Sequence, residues 1–569
     1  MAILGASFSI GRSALAAYQA AISISGQNIA NVGNPDYARQ SGRLTAEWGG
    51  PVEGGIAPGG GVRLSALRRH VDDALDARLR MALGERSSHQ TVYGTLSQVE
   101  ALYNELSEQD VSTQLSQFLA GFSQLQTSPT DSGIRNVIVS NANTLIDSVR
   151  RQRSGLLQQV DDLNAQAVAA AEQVSDIAEQ IAQLNELIVA QESNGNTVAS
   201  ALRDGRDSLL RELGEFVDVQ TRERDNGSVA VYVNSEPLVE YDRARELTAE
   251  TELVDGLEIV RVRFADSRAE IHPTAGTLAG VLTARDTHIR GQLSGLDQFV
   301  SGLIYEVNRI HSAGVGLLGY TNSVADNAAR DADLPLNADN NLPFPAANGT
   351  FIVHVRDLAT GQVITRQIEV DLDGLNGDDT SLNDLAAALD AVPGLGASVR
   401  ADNRLSLSAD NGQEFWFSED SSGALAALGV NSFFTGTTAG DIQVAESIAS
   451  DPRRIAASLT GLSHDGDNAG RIALLAAETS GSALLESRSL GDFHDLLVSE
   501  LSSSAAAARS GYEAADAVHA GLYAQREAVS GVSLDEEAIN LQKFERAYQG
   551  AARYVSVLDE LTTELLSLL

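Results

Sequence analysis

The sequence lacks several residue types and patterns that whole classes of function require. There is no cysteine among its 569 residues, which excludes disulfides, thiolate metal sites and cysteine nucleophiles. No apolar run approaches the eighteen residues of a membrane-spanning helix, so no membrane insertion is expected. The first residues include no basic leader, unbroken apolar core or cleavage site, so they are not typical of a secretory signal peptide.

Motifs of common active sites are also missing. The His residues form no HExxH pair and no zinc-type spacing, and neither a Gly-x-Ser-x-Gly elbow nor a Walker loop occurs. We interpret residues 371–381 as a hairpin turn instead of a calcium loop, because their ligand spacing does not fit. Residues 464–471 are interpreted as a loop before a helix, with Asp or Asn as its cap. The sequence therefore predicts no catalytic residue, no metal site, no cofactor and no enzyme.

Positive charge is scarce. The chain has 77 acidic and 40 basic residues, a formal net charge of -37. This balance argues against nucleic acid or an anionic membrane surface as the main partner. The length exceeds what one hydrophobic core organises, so we expect several domains.

Both ends of the chain carry apolar residues at alternating spacings of three and four, which is typical of coiled-coil-like helices. The N-terminal seam consists of Leu4, Phe8, Leu15, Tyr18, Ile22 and Ile29. The C-terminal seam consists of Leu534, Leu541, Phe544, Tyr548, Val555, Leu558 and Leu565. The seams could pack on each other within one chain or contact other subunits. We expect both, because a pair of helices is too thin to cover both seams.

The middle of the chain combines helical and strand patterns. A long heptad pattern runs from Val139 to Ile188 with a break at Arg153, and shorter ones cover 289–310 and 501–522. Alternating apolar residues predict strands within 225–234, 253–264, 351–372, 397–408 and 412–418, and a short helix is expected at 381–391.

This order predicts a multidomain α+β fold: a discontinuous α-helical stem, made of terminal coiled-coil-like helices and a long helical bundle, with inserted β-rich domains. We predict a terminal helical domain from 1–50 with 527–569, and a long helical stem from 51–215 with 275–320 and 461–526. The β-rich insertions are predicted at 216–274 and 321–460.

The segment NIANVGNPDYARQ, residues 28–40, resembles the signature of bacterial flagellar rod, hook and hook-associated proteins. Its matching residues are Asn28, Ala30, Asn31, Pro35, Tyr37, Arg39 and Gln40. The last four residues, YARQ, are similar to the hook-associated form, whereas hook and rod proteins more often have Gly-Phe-Lys there. The C-terminal stretch from Leu534 to Ala551 is similar to the same group, as are AGTLAGVLTARD (275–286), EVNRIHSAG (306–314) and LAALGVNSFFTG (425–436).

Two motif positions depart from the family. Asn34 stands where Thr is usual, and Asp36 stands where Gly is usual. Since Gly would permit positive φ and Asp is among the few other residues that tolerate it, we expect the turn to be preserved with some strain. Asn28, Asn31 and Tyr37 are either assembly contacts or residues that form this turn within their own chain.

The resemblance implies a structural component of the flagellum that self-assembles at the hook–filament junction. It implies an extracellular location after type III export without a cleavable signal. The implied partners are further copies of the chain in a ring or helical array, the hook protein, the second hook-associated junction protein, and a cytosolic export chaperone at the C-terminal region. Alternatives are another axial protein, such as the hook subunit, or more remotely a secreted coiled-coil adhesin or effector.

Overall fold

The computed structural model describes residues 2–48, 59–103, 110–193, 198–475 and 482–567, with backbone alone for residues 2–4. The helices in these ranges are α1 (Ala2–Ala30), α2 (Asp73–Tyr103), α3 (Val111–Thr127), α4 (Ser132–Glu192), α5 (Ser200–Phe216), α6 (Thr277–Thr283), α7 (Arg290–His311), α8 (Leu382–Asp390), α9 (Ala424–Leu428), α10 (Glu446–Ser450), α11 (Asp467–Ala473), α12 (Leu490–Ser530) and α13 (Leu534–Ser567). A π-helical turn, Ala284–Ile289, joins α6 to α7.

The strands are short. They are β1 (Gln40–Glu47), β2 (Gly61–Arg69), β3 (Gln220–Glu223), β4 (Val229–Val233), β5 (Glu236–Glu240), β6 (Arg243–Ala244), β7 (Leu247–Val254), β8 (Leu257–Phe264), β9 (Asn322–Val324), β10 (Gly349–Asp357), β11 (Val363–Val370), β12 (Leu395–Val399), β13 (Leu405–Ala409), β14 (Gln413–Ser418), β15 (Phe434–Thr435) and β16 (Gln443–Val444).

The chain forms two compact units. The terminal unit comprises residues 1–94, 161–285 and 506–569, and the central unit comprises 95–160 and 286–505. The terminal unit therefore collects both ends of the chain, the α1–α13 helix pair, the β1–β2 hairpin, a four-stranded sheet in the order β3-β4-β5-β6, and the β7–β8 hairpin. None of the described helices is long and apolar enough to cross a membrane.

The α4 helix has 61 residues, so at 1.5 Å per residue it is about 90 Å long. Most of its predicted heptad residues are buried, among them Leu156, Leu163, Ile177 and Ile181. The break in the heptad pattern has a structural reason, because Arg153 is half-buried and its Nε lies 3.2 Å from an oxygen of Asp297.

Two of the family-like segments bind each other in the central unit. The Asn308 side chain, on α7, donates to the carbonyl of Phe434 at 2.8 Å and accepts from the backbone N–H groups of Phe433 and Phe434. One turn on, His311 accepts from the Ala456 N–H through Nε2, so its Nδ1–H donates to the carbonyl of Asn431 at 2.8 Å. Phe433 and Phe434 stack edge to face. Segments 306–314 and 425–436 thus form one buried polar and aromatic core.

The predicted fold class is confirmed. Helices at both ends and in the middle are interrupted by β-rich segments, and the predicted strands and the helix near 381–391 are present. The β1–β2 hairpin was not predicted. Residues 371–381 form a strand-to-helix loop between β11 and α8 instead of a hairpin turn, and the cap of α11 is Gly466, without a side-chain bond. The predicted domain boundaries stay predictions.

Candidate assembly surface

The two terminal helices pack closely at one glycine. Gly11 on α1 is buried, and a Cβ built there would lie 2.4 Å from Cγ2 of Val555 on α13. Gly11 therefore permits an approach that a larger residue would prevent. Ala17 and Ala21 are the buried apolar residues that follow on α1.

The seam residues are only partly covered within one chain. On α1, Phe8, Leu15, Tyr18, Ile22 and Ile29 are all half-buried, and the side chain of Leu4 lies outside the described residues. On α13, Leu558 is buried, whereas Leu534 and Leu565 are 51% and 48% exposed. The other predicted residues of the C-terminal seam, which are half-buried, are Leu541, Phe544, Tyr548 and Val555. Packing of the pair therefore leaves apolar surface on both helices.

Further large apolar side chains of α13 are exposed. They are Ile539, Tyr554, Val557, Leu561 and Leu566. Single exposed apolar residues are ordinary, but a concentration on one helix indicates a contact surface. We call the uncovered apolar side chains of α1 and α13 the terminal surface.

The motif residues Asn28 and Tyr37 bond each other within the chain. The hydroxyl of Tyr37 donates to Oδ1 of Asn28 at 2.7 Å. Asn28 also bonds the backbone of Gln40 in both directions, accepting its N–H at 3.0 Å and donating to its carbonyl at 2.8 Å. Since Asn28 is almost fully buried, these bonds satisfy its amide group and fix the start of β1 against the last turn of α1.

The turn between them differs from the predicted one. The residue with positive φ is Gly33, at 79°, and Asp36 is not among the residues with that conformation. The expectation that Asp36 replaces Gly under strain is therefore wrong. Asn34 accepts the Asp36 N–H through its side chain, and Asp36 in turn accepts bonds from Ser208 and Arg211 on α5. These bonds hold the pKa of Asp36 below its ordinary value, although partial burial acts in the opposite direction.

Arg39 connects the motif to the other end of the chain. Its Nε donates to Glu537 at 2.9 Å, and its Nη2 lies 3.0 Å from Glu536. The Arg39 backbone N–H also donates to the carbonyl of Ser530 at 2.9 Å. Because the Glu537 side chain is 3% exposed, Arg39 neutralises a carboxylate that water hardly reaches.

The remaining motif residues, Ala30, Asn31 and Pro35, lie at or near the surface. Asn31 donates to the carbonyl of Gln27 in its own helix, and Ala30 and Pro35 are exposed. Burial, with the negative charges of Asp204 and Glu537, raises the pKa of Tyr37 to about 12. The motif thus joins α1, β1, α5 and α13 within one chain, and an assembly role for its residues stays a prediction.

A buried charge cluster behind the motif was not found by sequence reasoning. Arg69, the last residue of β2, lies 2.5 Å from both Asp204 and Asp207 of α5. Burial raises the pKa of Asp204, an effect that Arg69 partly offsets. These residues are far apart in the chain and carry no motif, so only the tertiary structure relates them.

The acidic loop 371–381 brings three carboxylates together. Oxygens of Asp371, Asp373 and Asp379 lie within 4.8 Å of one another. All three side chains cap backbone groups of the loop: Asp371 accepts the N–H of Asp373 at 3.3 Å, Asp373 that of Leu375 at 2.7 Å, and Asp379 that of Gly374 at 2.9 Å. Turn formation accounts for these contacts.

Comparison with known proteins identifies the class to which this arrangement belongs. Residues 96–324 match the family described as the flagellar hook-associated protein FlgK helical domain. The chain is therefore a relative of the structural proteins of the bacterial flagellum that carry this domain.

Relatives that match nearly the whole chain are named flagellar hook-associated protein 1. The chain is 24% identical to that protein of Escherichia coli (strain K12) over 98% of both chains, and 23% identical to that of Bacillus subtilis (strain 168) over 98% of this chain and 96% of the other. The fold is similar to the flagellar hook junction protein FlgK from Burkholderia pseudomallei, with a TM-score of 0.52 at 15% identity, over 80% of this chain and 100% of that one. The predicted resemblance and the structural role in the flagellum are confirmed.

Proposed function

We propose that the chain is a self-assembling subunit of the hook–filament junction. The terminal surface carries this proposal: each chain leaves apolar side chains uncovered along α1 and α13, and neighbouring subunits would cover them. The protein has a structural role and no catalytic one. Its neighbours are further copies in a ring or helical array, the hook protein on one side and the second hook-associated junction protein on the other.

The same helices suit export before assembly. The helices α1 and α13 leave part of each other's apolar surface uncovered, so the terminal pair orders fully when neighbours add to its core. We propose that the chain leaves the cell through the flagellar type III channel without a cleavable signal and ends in the extracellular part of the flagellum. A cytosolic chaperone would cover the exposed residues of the C-terminal region until export.

The test replaces exposed residues of the terminal surface. Leu561→Glu with Leu565→Glu should leave an exported, folded monomer that fails to incorporate, since the charged side chains cannot be buried between subunits. The control is Leu462→Glu with Leu474→Glu, which makes the same change at two exposed leucines of the central unit.

The readout is electron microscopy of a strain without its own copy of the gene. The wild-type chain and the control pair should restore filaments, and the terminal pair of substitutions should give bare hooks. Normal filaments from the Leu561/Leu565 variant would contradict the proposed mechanism. Absence of hooks in the starting strain would indicate a hook subunit instead.

A further inference from the structure

The outer face of the β1–β2 hairpin concentrates positive charge in a strongly acidic chain. In the antiparallel register, Arg63 lies opposite Thr45, Ala66 opposite Arg43, and Arg68 opposite Ser41. Opposite residues share a face of the ladder, so Arg43, Arg63 and Arg68 project from one side. All three are exposed. We call this set the arginine face.

The other side of the hairpin is occupied by α1. A Cβ at Gly42 would lie 2.6 Å from Leu64 and 3.1 Å from Ile24 of α1, and the Val62 N–H donates to Ser13 at 3.3 Å. The inner side therefore packs on its own chain, and among the described residues the arginine face is the exposed side.

The three guanidinium groups have no acidic partner within the described part of the chain. Arg69, next along the strand, differs from them because it is paired with Asp204 and Asp207. The charge of Arg68 also acts locally: burial lowers the pKa of His70, and the charges of Arg39 and Arg68 lower it further. Three adjacent unpaired arginines are unusual in a chain of net charge -37.

An unpaired acidic group lies at the end of α13. Asp559, Glu560 and Glu564 are exposed, their carboxylates have no basic partner among the described residues, and no basic residue occurs from 554 to 567. The exposed Leu561 of the terminal surface lies between Glu560 and Glu564 in sequence, and the exposed Leu565 directly follows Glu564.

The two charged groups lie at different levels of the terminal helix pair, and the Arg63 end of the arginine face is the end nearer to the acidic end of α13. Val62 contacts Ser13 of α1, and Gly11, half a turn away, lies against Val555 of α13. Asp559 follows Val555 by about one helical turn. Gly42 of the hairpin lies against Ile24 of α1, 13 residues and about 20 Å from Gly11. Neighbouring subunits displaced along the helix axis would therefore bring the arginine face of one chain toward the acidic end of α13 in the next.

We propose that the arginine face binds the acidic end of α13, residues 559–564, in a second copy of the chain. This inference rests on the proposed self-assembly and adds an electrostatic contact to its apolar one. Two copies of charge -37 repel each other, so a closely packed array requires places where opposite charges meet. The contact sets which faces of neighbouring copies come together.

Photo-cross-linking tests the occupant of the face in assembled flagella. A benzoylphenylalanine at Ala66, which is exposed and opposite Arg43, should link two copies of the chain, and mass spectrometry should find the linked peptide around residues 559–564. The same probe at the exposed Val363 of the central unit is the control and should not give this peptide. Links to a different protein, links to another surface of the chain, or no link in assembled flagella would overturn the proposal.

Charge reversal tests the pairing independently. Arg43→Glu, Arg63→Glu and Arg68→Glu together should lower incorporation about tenfold or more, because three attractions become repulsions. Asp559→Arg, Glu560→Arg and Glu564→Arg together should do the same, and combining both sets in one chain should restore incorporation. The control Arg222→Glu, Arg366→Glu and Arg471→Glu changes three exposed arginines elsewhere, with the same change in net charge.

The outcomes separate this inference from the proposed function. If the wild-type chain fails to restore filaments, the proposed function is wrong. If the wild-type chain and the control assemble and the arginine-face variant assembles equally well, or the combined variant is not restored, only the electrostatic contact is refuted. Circular dichroism and proteolysis of each exported variant check folding, and the Ala66 probe decides the question where a variant does not fold.

Discussion

The hydroxyl of Tyr37 donates a 2.7 Å hydrogen bond to Oδ1 of Asn28, so two motif residues nine positions apart form one buried pair. The Asn28 side chain also accepts the N–H of Gln40 and donates to its carbonyl. One side chain therefore joins the end of a helix, a turn and the start of a strand.

Removal of either group should destabilise the terminal unit, to different extents. Tyr37→Phe should cost about 1 kcal/mol, and Asn28→Ala about 2–3 kcal/mol, because the second change also leaves partly buried backbone groups of Gln40 without partners. Asn31→Ala is the control, since its side chain makes only exposed bonds, donating to the carbonyl of Gln27 and accepting from the Asn34 side chain at 3.5 Å. Hydrogen exchange of residues 28–40 measures the effect, and equal protection in all three variants would contradict this assignment.

Any side chain introduced at Gly11 should destabilise the α1–α13 pair. Gly11→Ala places a methyl group against Val555 and should destabilise the pair by about 1–3 kcal/mol. Gly26→Ala, where a Cβ meets open space, should instead be neutral or slightly stabilising, because alanine favours helix. Thermal unfolding followed by circular dichroism compares them, and Val555→Ala should rescue Gly11→Ala.

Loss of Arg39 should be costlier than loss of a surface ion pair. Arg39→Ala leaves the buried Glu537 carboxylate without its guanidinium and should cost about 2–3 kcal/mol. Arg509→Ala, which breaks the exposed pair with Glu513, should change the free energy of unfolding much less, because water screens both charges. The free energies of unfolding in urea give both values. Similar small losses would mean that water reaches Glu537.

The central unit should lose stability in mild acid through His311. Burial lowers the pKa of this residue to about 4, whereas the unfolded chain has the ordinary value of 6.5. Below pH 6.5 the unfolded state therefore binds a proton at His311, whereas the folded state does not. The free energy of unfolding should fall by about 3 kcal/mol as the pH drops from about 6.5 to 4.

The variant His311→Gln isolates this effect. It should be less stable than wild type at pH 7.5, because the bonds to Asn431 and Ala456 are disturbed, and the difference should shrink toward pH 4. Melting temperatures at several pH values test this. A constant difference across the range would show that His311 does not titrate in the transition.

The sequence predicted the elements whose pattern is long and regular. Heptads marked α1, α4 and α13, and alternation with Asn-Gly or Asp-Gly turns marked the hairpins of the β-rich parts. The conformation at Asp255-Gly256 agrees with such a turn, since both residues have positive φ.

The β1–β2 hairpin was not predicted, because a bulge interrupts the regular alternation of inward and outward residues along β2. The register shifts between Arg43 and Leu44, so no residue of β1 lies opposite Ser65. The inward residues Leu64 and Leu67 are therefore three positions apart instead of two. A spacing of three resembles a helix. The partners of Arg69 and Glu537 were equally unpredictable, because they lie more than a hundred residues away in the chain.

The bond from Arg39 to Glu537 spans 498 positions of a 569-residue chain. A polypeptide that stopped early would lack the carboxylate that receives Arg39 and the helix that faces Gly11, however well its central unit had folded. A copy cut short before Glu537 therefore cannot close its terminal unit, because that unit needs both ends of the same molecule.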